Sequence, residues 1–236
     1  SDYEKLKEKG IKNLKDASKM DVEKLVDIKG FGKTSLEKWK KQAESLITKK
    51  PIKLKEYEFP KGENIYFDVE DIQENREKIV YLFGMVINGK YKYFLAKKPS
   101  EQKKAWLKFL DFFKKKEDFW IYVYSGHEKS MMKKLYEKYG GDEKTYNKII
   151  DRLIDLLSVV KKTFIFPAYS YGIKDIAKYL GFNWTSEKAG GGQSMIWYEK
   201  WLETGNKKYL DEVLRYNKED CEAEVVIKEF IQNQNP

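Results

Sequence analysis

The 236-residue chain has a single cysteine, Cys221, and a single histidine, His127. One cysteine excludes a disulfide within the chain and a zinc site built on cysteines. With one histidine, any Ser-His or Cys-His chemistry must pass through one side chain. Arginine is scarce as well: only Arg76, Arg152 and Arg215 occur, so lysine carries nearly all the positive charge. The longest apolar-leaning run, residues 79–87, includes Gly84 and is far too short to cross a bilayer. No charged-then-apolar segment opens the chain, so a cytoplasmic protein with no membrane partner is expected. The chain starts at Ser1 rather than at methionine and reads as a piece of a longer protein.

What is present suffices for a folded protein. Apolar residues make up 41% of the 28.1 kDa chain, enough to build a core for one large domain or for a small one plus a medium one. Lys and Arg number 47 against 38 Asp and Glu, a net charge of +9 that suggests an anionic partner. The distribution is uneven. Residues 1–50 hold 14 lysines and 9 acids, while the other 186 residues hold 33 bases and 29 acids. The first fifth of the chain therefore carries more than half the excess. A lysine-rich solvated surface explains the number of lysines but not their concentration at one end.

Residues 3–47 read as helices and turns, with Asp21 the N-cap of a short helix over 22–26. Gly30 and Gly32 break that helix, and a longer one follows over 33–47, with Leu36, Trp39, Ala43 and Leu46 at helical spacing. Pro51 and Pro60 mark residues 51–62 as a linker. The domains expected are thus 1–50, the linker, and 63–236. In the last of these, strands are predicted over 64–70, 79–87, 91–96 and 119–125, with Asn88-Gly89 as a hairpin turn. Helices are predicted over 99–116, 128–139, 143–161, 172–180, 194–203 and 207–231, the last broken near Asn217. Residues 164–167 read as short and irregular, and Gly190-Gly191-Gly192 as a loop. Early strands followed by strands alternating with helices indicate an α/β sheet domain.

The sharpest chemical feature is Phe67-Asp68-Val69-Glu70. Side chains two apart on a strand share a face, so Asp68 and Glu70 project together from an apolar strand. Paired carboxylates repel unless something positive lies between them, and a hard divalent cation with a preference for oxygen ligands is the usual solution. An exposed, solvated strand face is the bland alternative. Far along the chain, Tyr216-Asn-Lys-Glu-Asp220 places a tyrosine and an aspartate at i and i+4 on one helical face, and Ala223 and Ile227 continue that face inward. An aspartate there needs a partner, and a metal held by Asp68 would be one. Satisfaction by backbone donors at a helix break is the competing reading.

Together these residues resemble the DEDD-type 3′–5′ exonucleases of the ribonuclease H-like superfamily: Asp68-x-Glu70 on a first strand, a two-strand hairpin, and Tyr216-x-x-x-Asp220 on the last helix. The tyrosine points to the subgroup with Tyr rather than His in the last motif. The wording from Phe164-Ile-Phe-Pro-Ala-Tyr-Ser-Tyr-Gly-Ile-Lys to Leu180-Gly-Phe, then Gly-Gly-Gln-Ser and Leu214-Arg-Tyr-Asn-Lys-Glu-Asp-Cys, is similar to the ribonuclease H-like domain of predicted RecB-family nucleases. The resemblance covers about residues 62–232. It implies a mixed sheet flanked by helices and phosphodiester hydrolysis by two magnesium or manganese ions, ~4 Å apart, on single-stranded DNA or DNA ends. By the same resemblance Asp68 bridges the ions, Glu70, Glu128 and Asp220 complete their shells, and Tyr216 orients the attacking water. Most members carry aspartate where Glu128 stands. Asp151 and Asp155 are the fallback for this third acid, and complementing a helix N-terminus is the alternative role for Glu128. Longer relatives can carry a further nuclease domain upstream.

Ile28-Lys-Gly30-Phe31-Gly32 and the lysine-rich helix after it resemble a helix-hairpin-helix DNA-binding module, preceding the sheet domain. Glycines there allow a backbone to approach phosphate closely, and free amides at a helix start point at the anion. Lys33 adds charge without reading bases. Gly32-Lys33-Thr34 is not the end of a P-loop, because Asp27 stands where that motif needs its first glycine. Lys174, near a helix start, is a candidate phosphate contact, with a solvated lysine as the alternative. His127, beside Glu128, is a weaker substrate contact. Two other outcomes stay open: a catalytically weak nucleic-acid-binding or docking module of a larger nuclease, and a ribonuclease of the same fold.

Overall fold

The structure, a computed structural model, describes residues 2–74, 76–185 and 191–234. Among these, the elements in chain order are α1 (Asp2–Glu8), α2 (Leu14–Ser18), α3 (Lys33–Thr48), β1 (Ile52–Lys53), β2 (Glu63–Glu74), β3 (Glu77–Ile87) and β4 (Lys90–Leu95). They continue with α4 (Gln102–Phe113), β5 (Phe119–Val123), α5 (His127–Tyr139), α6 (Glu143–Asp151), β6 (Leu153–Asp155) and α7 (Leu156–Thr163). The last are β7 (Phe164–Ile165), α8 (Ile173–Tyr179), α9 (Gly191–Thr204) and α10 (Lys207–Asn233). The chain forms two compact units, Ser1–Tyr57 with Val159–Tyr171, and Glu58–Ser158 with Gly172–Pro236.

The first unit has its own small core of Ile11, Met20, Leu25, Phe31 and Leu36. The helix expected over 22–26 does not form. That stretch is a run of turns, with Leu25 N–H donating to Val22 O and Ile28 N–H to Leu25 O. Gly30, at φ +102°, turns the chain where a side chain would be strained, and Gly32 is the N-cap of α3. The stretch expected as a linker contains β1, which pairs antiparallel with β7 through Ile52↔Ile165 and Lys53↔Phe164. Gln42 of α3 donates to Phe166 O at 2.8 Å and so holds the residue that follows β7.

The second unit is the expected α/β domain, a five-stranded mixed sheet flanked by helices, in the order β4-β3-β2-β5-β6. β2, β3 and β4 are antiparallel, and β5 and β6 run parallel to β2. Alternation along β2 separates two jobs. Phe67 points to the face covered by α4 and stacks on Phe109 at 5.0 Å. Tyr66, Asp68 and Glu70 therefore point to the opposite face, beneath α10. Pairing shifts at Glu70/Asp71, where Tyr81 is the extra residue on β3. Asp71, next to Glu70, lies off the row of Asp68 and Glu70 by strand alternation alone.

Three further expectations are corrected. Residues 143–161 are not one helix: α6 ends at Asp151, and Leu153–Asp155 form β6 beside β5, with Ile121↔Leu153 and Val123↔Asp155 paired. Helix α10 is not broken near Asn217 but runs through it. Gly191 and Gly192 open α9, while Gly190 lies outside the described residues. No helix among the described residues is long and apolar enough to cross a membrane.

Candidate metal centre

β2 and α10 supply the centre. One carboxylate oxygen each from Asp68, Glu70 and Asp220 lie within 4.8 Å of one another. Glu70 and Asp220 are buried, and Asp68 is partly so. Such an arrangement is unfavourable for three free anions, and the proton affinities show it. Burial raises Asp68 well above the usual carboxylate range, and repulsion from Glu70, Asp220 and Glu128 adds to it. Glu70 is raised by burial and by Asp220. Asp220 is pushed up to about 6 by burial, against the lowering effect of hydrogen bonds from Trp184 and Tyr216.

Glu128 enters from the first turn of α5. It is 4% exposed and pushed up to about 7, chiefly by burial, with Asp155 and Asp220 adding repulsion. Two buried oxygens, Glu70 Oε1 and Glu128 Oε2, have no hydrogen-bond partner among the described residues. Mutually repelling, desolvated carboxylates with unpaired oxygens fit a hard divalent cation, which would replace the missing positive charge and bind oxygen by preference. The fallback acids fit less well. Asp155 Oδ1 accepts from the amides of Ser125 at 3.1 Å and Leu157 at 2.9 Å, and Oδ2 from the Ser158 hydroxyl at 2.6 Å. Asp151 is exposed at the end of α6.

Other side chains hold the acids in place. Asn217 Nδ2 donates to Asp68 Oδ2 at 2.7 Å, and Asn217 Oδ1 accepts from Tyr91 on β4 at 2.7 Å. This bridge needs Gly84 on the strand between them. A Cβ at Gly84 would lie 1.6 Å from Asn217 Oδ1 and 2.8 Å from the Tyr91 oxygen. Trp184 Nε1 donates to Asp220 Oδ1 at 2.7 Å. Lys174 Nζ lies 5.1 Å from the centre of the Tyr216 ring and 5.6 Å from that of Trp184. Burial lowers the Lys174 pKa, while the charge of Asp220 opposes that shift. Asp71 pairs with His127 Nε2 at 2.7 Å and with Lys78 at 3.3 Å. A cavity of about 290 Å³ opens onto the cluster and is lined by Asp68, Glu70, Asp71, His127, Tyr216 and Asp220, among others.

Residues 65–232 match the family model described as the RNase_H superfamily. The chain belongs to that superfamily. No curated protein matches the chain. RNase H-like domains are commonly nucleases that hydrolyse phosphodiester bonds. In this RNase H-like domain the matched span runs from β2 to α10 and contains every acid of the cluster. Of the residues singled out from sequence, the fold gathers Asp68, Glu70, Glu128, Tyr216, Asp220 and Lys174. Gly30, Phe31, Gly32 and Lys33 belong to the other unit. There Phe31 is a buried core residue, Gly32 is the N-cap of α3, and Lys33 pairs with Glu23. Sequence reasoning missed Asn217, Gly84, Tyr91 and Trp184. Asn217 alone left a signal: a polar residue midway along an apolar helix face reads equally as a break or as a buried partner.

Proposed function

We propose that this chain is a divalent-metal-dependent 3′–5′ exonuclease that hydrolyses phosphodiester bonds of single-stranded DNA or of DNA ends. The observation that carries the reading is the approach of Asp68, Glu70 and Asp220 oxygens to within 4.8 Å in a buried site with unpaired carboxylate oxygens beside it. Asp68, Glu70, Glu128 and Asp220 would hold two magnesium or manganese ions. Bound there, the ions supply Lewis-acid activation of water and stabilisation of the leaving oxygen. The chain's own residues do the rest. Asn217 and Trp184 fix the orientation of Asp68 and Asp220. Tyr216, one helical turn before Asp220 and lining the same cavity, orients the attacking water. Lys174 meets the phosphate in front of Tyr216, where its charge offsets the acids. In the first unit, the Gly30–Gly32 turn, the amides at the start of α3 and Lys33 grip the strand's backbone as a helix-hairpin-helix module would.

The test is the double variant Asp68→Ala/Asp220→Ala, assayed with magnesium and with manganese on DNA and RNA oligonucleotides labelled at the 3′ or the 5′ end. The expectation is loss of stepwise shortening from the 3′ end of single-stranded DNA. Degradation unchanged by the double variant overturns the assignment. Cutting confined to RNA, or starting from the 5′ end, overturns the substrate or the polarity.

A further inference from the structure

A second groove, of about 430 Å³, borders the same side chain that closes one wall of the metal cavity: Lys78 lines both. Its other cations come from two elements. Arg76 stands at the β2–β3 turn, in the left-handed conformation at φ +68°. Lys134 and Lys138 stand one turn apart on α5. Four cations face one acid, Glu77. Two of the four are already engaged: Lys138 pairs with Glu77 at 2.6 Å and Lys78 with Asp71 at 3.3 Å. Arg76 and Lys134 have no ion pair among the described residues.

The groove is not only charged. Val80, Met131 and Leu135 give it an apolar side. Gln102, at the start of α4, also lines it and is 1% exposed. Its Oε1 accepts from the Tyr139 hydroxyl at 2.8 Å, but its Nε2 has no hydrogen-bond partner among the described residues. A buried amide donor without an acceptor is rare in folded proteins. A basic rim, an apolar wall and an unused buried donor are together what a nucleotide requires: phosphates for the cations, a sugar or base for the wall, an acceptor for the amide.

We propose that this groove is a subsite for the backbone of a single-stranded nucleic acid, carrying the strand past Lys78 and away from the carboxylates. It rests on the nuclease reading for the position of the strand's reacting end, but not for the binding itself. Arg76 and Lys134 are the principal phosphate contacts, because the other two lysines must first give up an acid.

The test is the variant Arg76→Ala/Lys134→Ala, with its folding checked by circular dichroism and thermal melting. Binding of fluorescent ten-nucleotide and two-nucleotide DNA is measured by anisotropy in EDTA, where cleavage does not interfere, over a range of salt concentrations. Two lost phosphate contacts reduce the slope of log K against log salt by about 1.4 and weaken ten-nucleotide binding about tenfold at moderate salt. The two-nucleotide strand loses less. Unchanged affinity and slope for the ten-nucleotide strand overturn the subsite. So does equal loss for both lengths together with full competition by inorganic phosphate, which marks a simple anion site. A shift in binding with no cleavage by the unmodified protein upholds the subsite and sinks the nuclease reading, so the two failures are distinguishable.

Discussion

Asn217 Nδ2 donates to Asp68 Oδ2 at 2.7 Å while Asn217 Oδ1 accepts from Tyr91 at 2.7 Å, so a helix residue ties the central acid of the cluster to the edge strand. Asn217 acts through Asp68 and is a positioning residue. Asn217→Ala is expected to lower metal-dependent cleavage by about 10–100-fold, as loss of such an orienting partner does at metal sites. The loss should fall on kcat and on metal affinity, with KM for the strand little changed. Steady-state kinetics with metal titration reads it, and an unchanged kcat would falsify the role.

Gly84→Ala tests the same bridge from below. The new methyl collides with Asn217 and Tyr91, and neither neighbour is an exposed, flexible end. Overpacking of this kind is expected to destabilise the fold by about 1–3 kcal/mol, read from the urea midpoint. A midpoint equal to that of the parent would show that the bridge yields without strain.

The strands that carry the acids were legible because they alternate or run apolar for long stretches, and because Asn88-Gly89 marks their hairpin. Asp68, Glu70 and Asp220 were legible through spacing. β6 was not. Leu153–Asp155 is three residues long, and Ile149, Ile150, Leu153, Ile154 and Leu157 keep helical spacing across it. Periodicity cannot separate so short a buried parallel strand from a helix. β1 and β7, two residues each, are too short for any period to repeat. Trp184 and Tyr91 act through contacts distant in sequence, for which spacing holds no signal.

The acids also set a pH dependence for the metal-free protein. Asp220 is pushed up to about 6 and Glu128 to about 7, both above their values in an unfolded chain. Between about pH 4 and 7 the folded state therefore binds more protons than the unfolded one. Stability from these groups is greatest at the acid end and falls as pH rises, by an amount on the order of 3 kcal/mol per group. Melting temperatures in EDTA should decline across this window more steeply for the parent than for Asp220→Asn. Saturating manganese should remove the decline, because the ion takes the place of the protons. A parent no steeper than the variant sinks the argument.

Trp184→Phe removes one donor that favours ionised Asp220. The Asp220 pKa should rise further above about 6. The acid limb of the pH–rate profile then moves to higher pH. An acid limb that stays in place would show that Trp184 only packs.

Glu128 and Asp155 are expected to respond in opposite ways. Asp155→Asn disturbs a carboxylate that accepts from Ser125, Leu157 and Ser158, and should cost about 1–3 kcal/mol of stability with metal affinity retained. Glu128→Gln removes a buried acid with one unpartnered oxygen, and should leave stability equal or higher while weakening metal binding. Calorimetric metal titration and denaturation of both variants distinguish them, and the reverse pattern would make Asp155 the ligand.

The pairing of β2 with β5 stops at Tyr66↔Tyr122. The next amide on β2, that of Phe67, donates instead to Glu224 Oε2 of α10 at 3.0 Å. A helix carboxylate thus stands where a neighbouring strand's carbonyl would otherwise be. Had the two parallel strands stayed zipped for another pair, the notch between Asp68 and the start of α5 would be closed by backbone. The sheet is split one residue before its first catalytic candidate, and α10, by stitching the open seam, leaves room beside Asp68 for the ion that the cluster could bind.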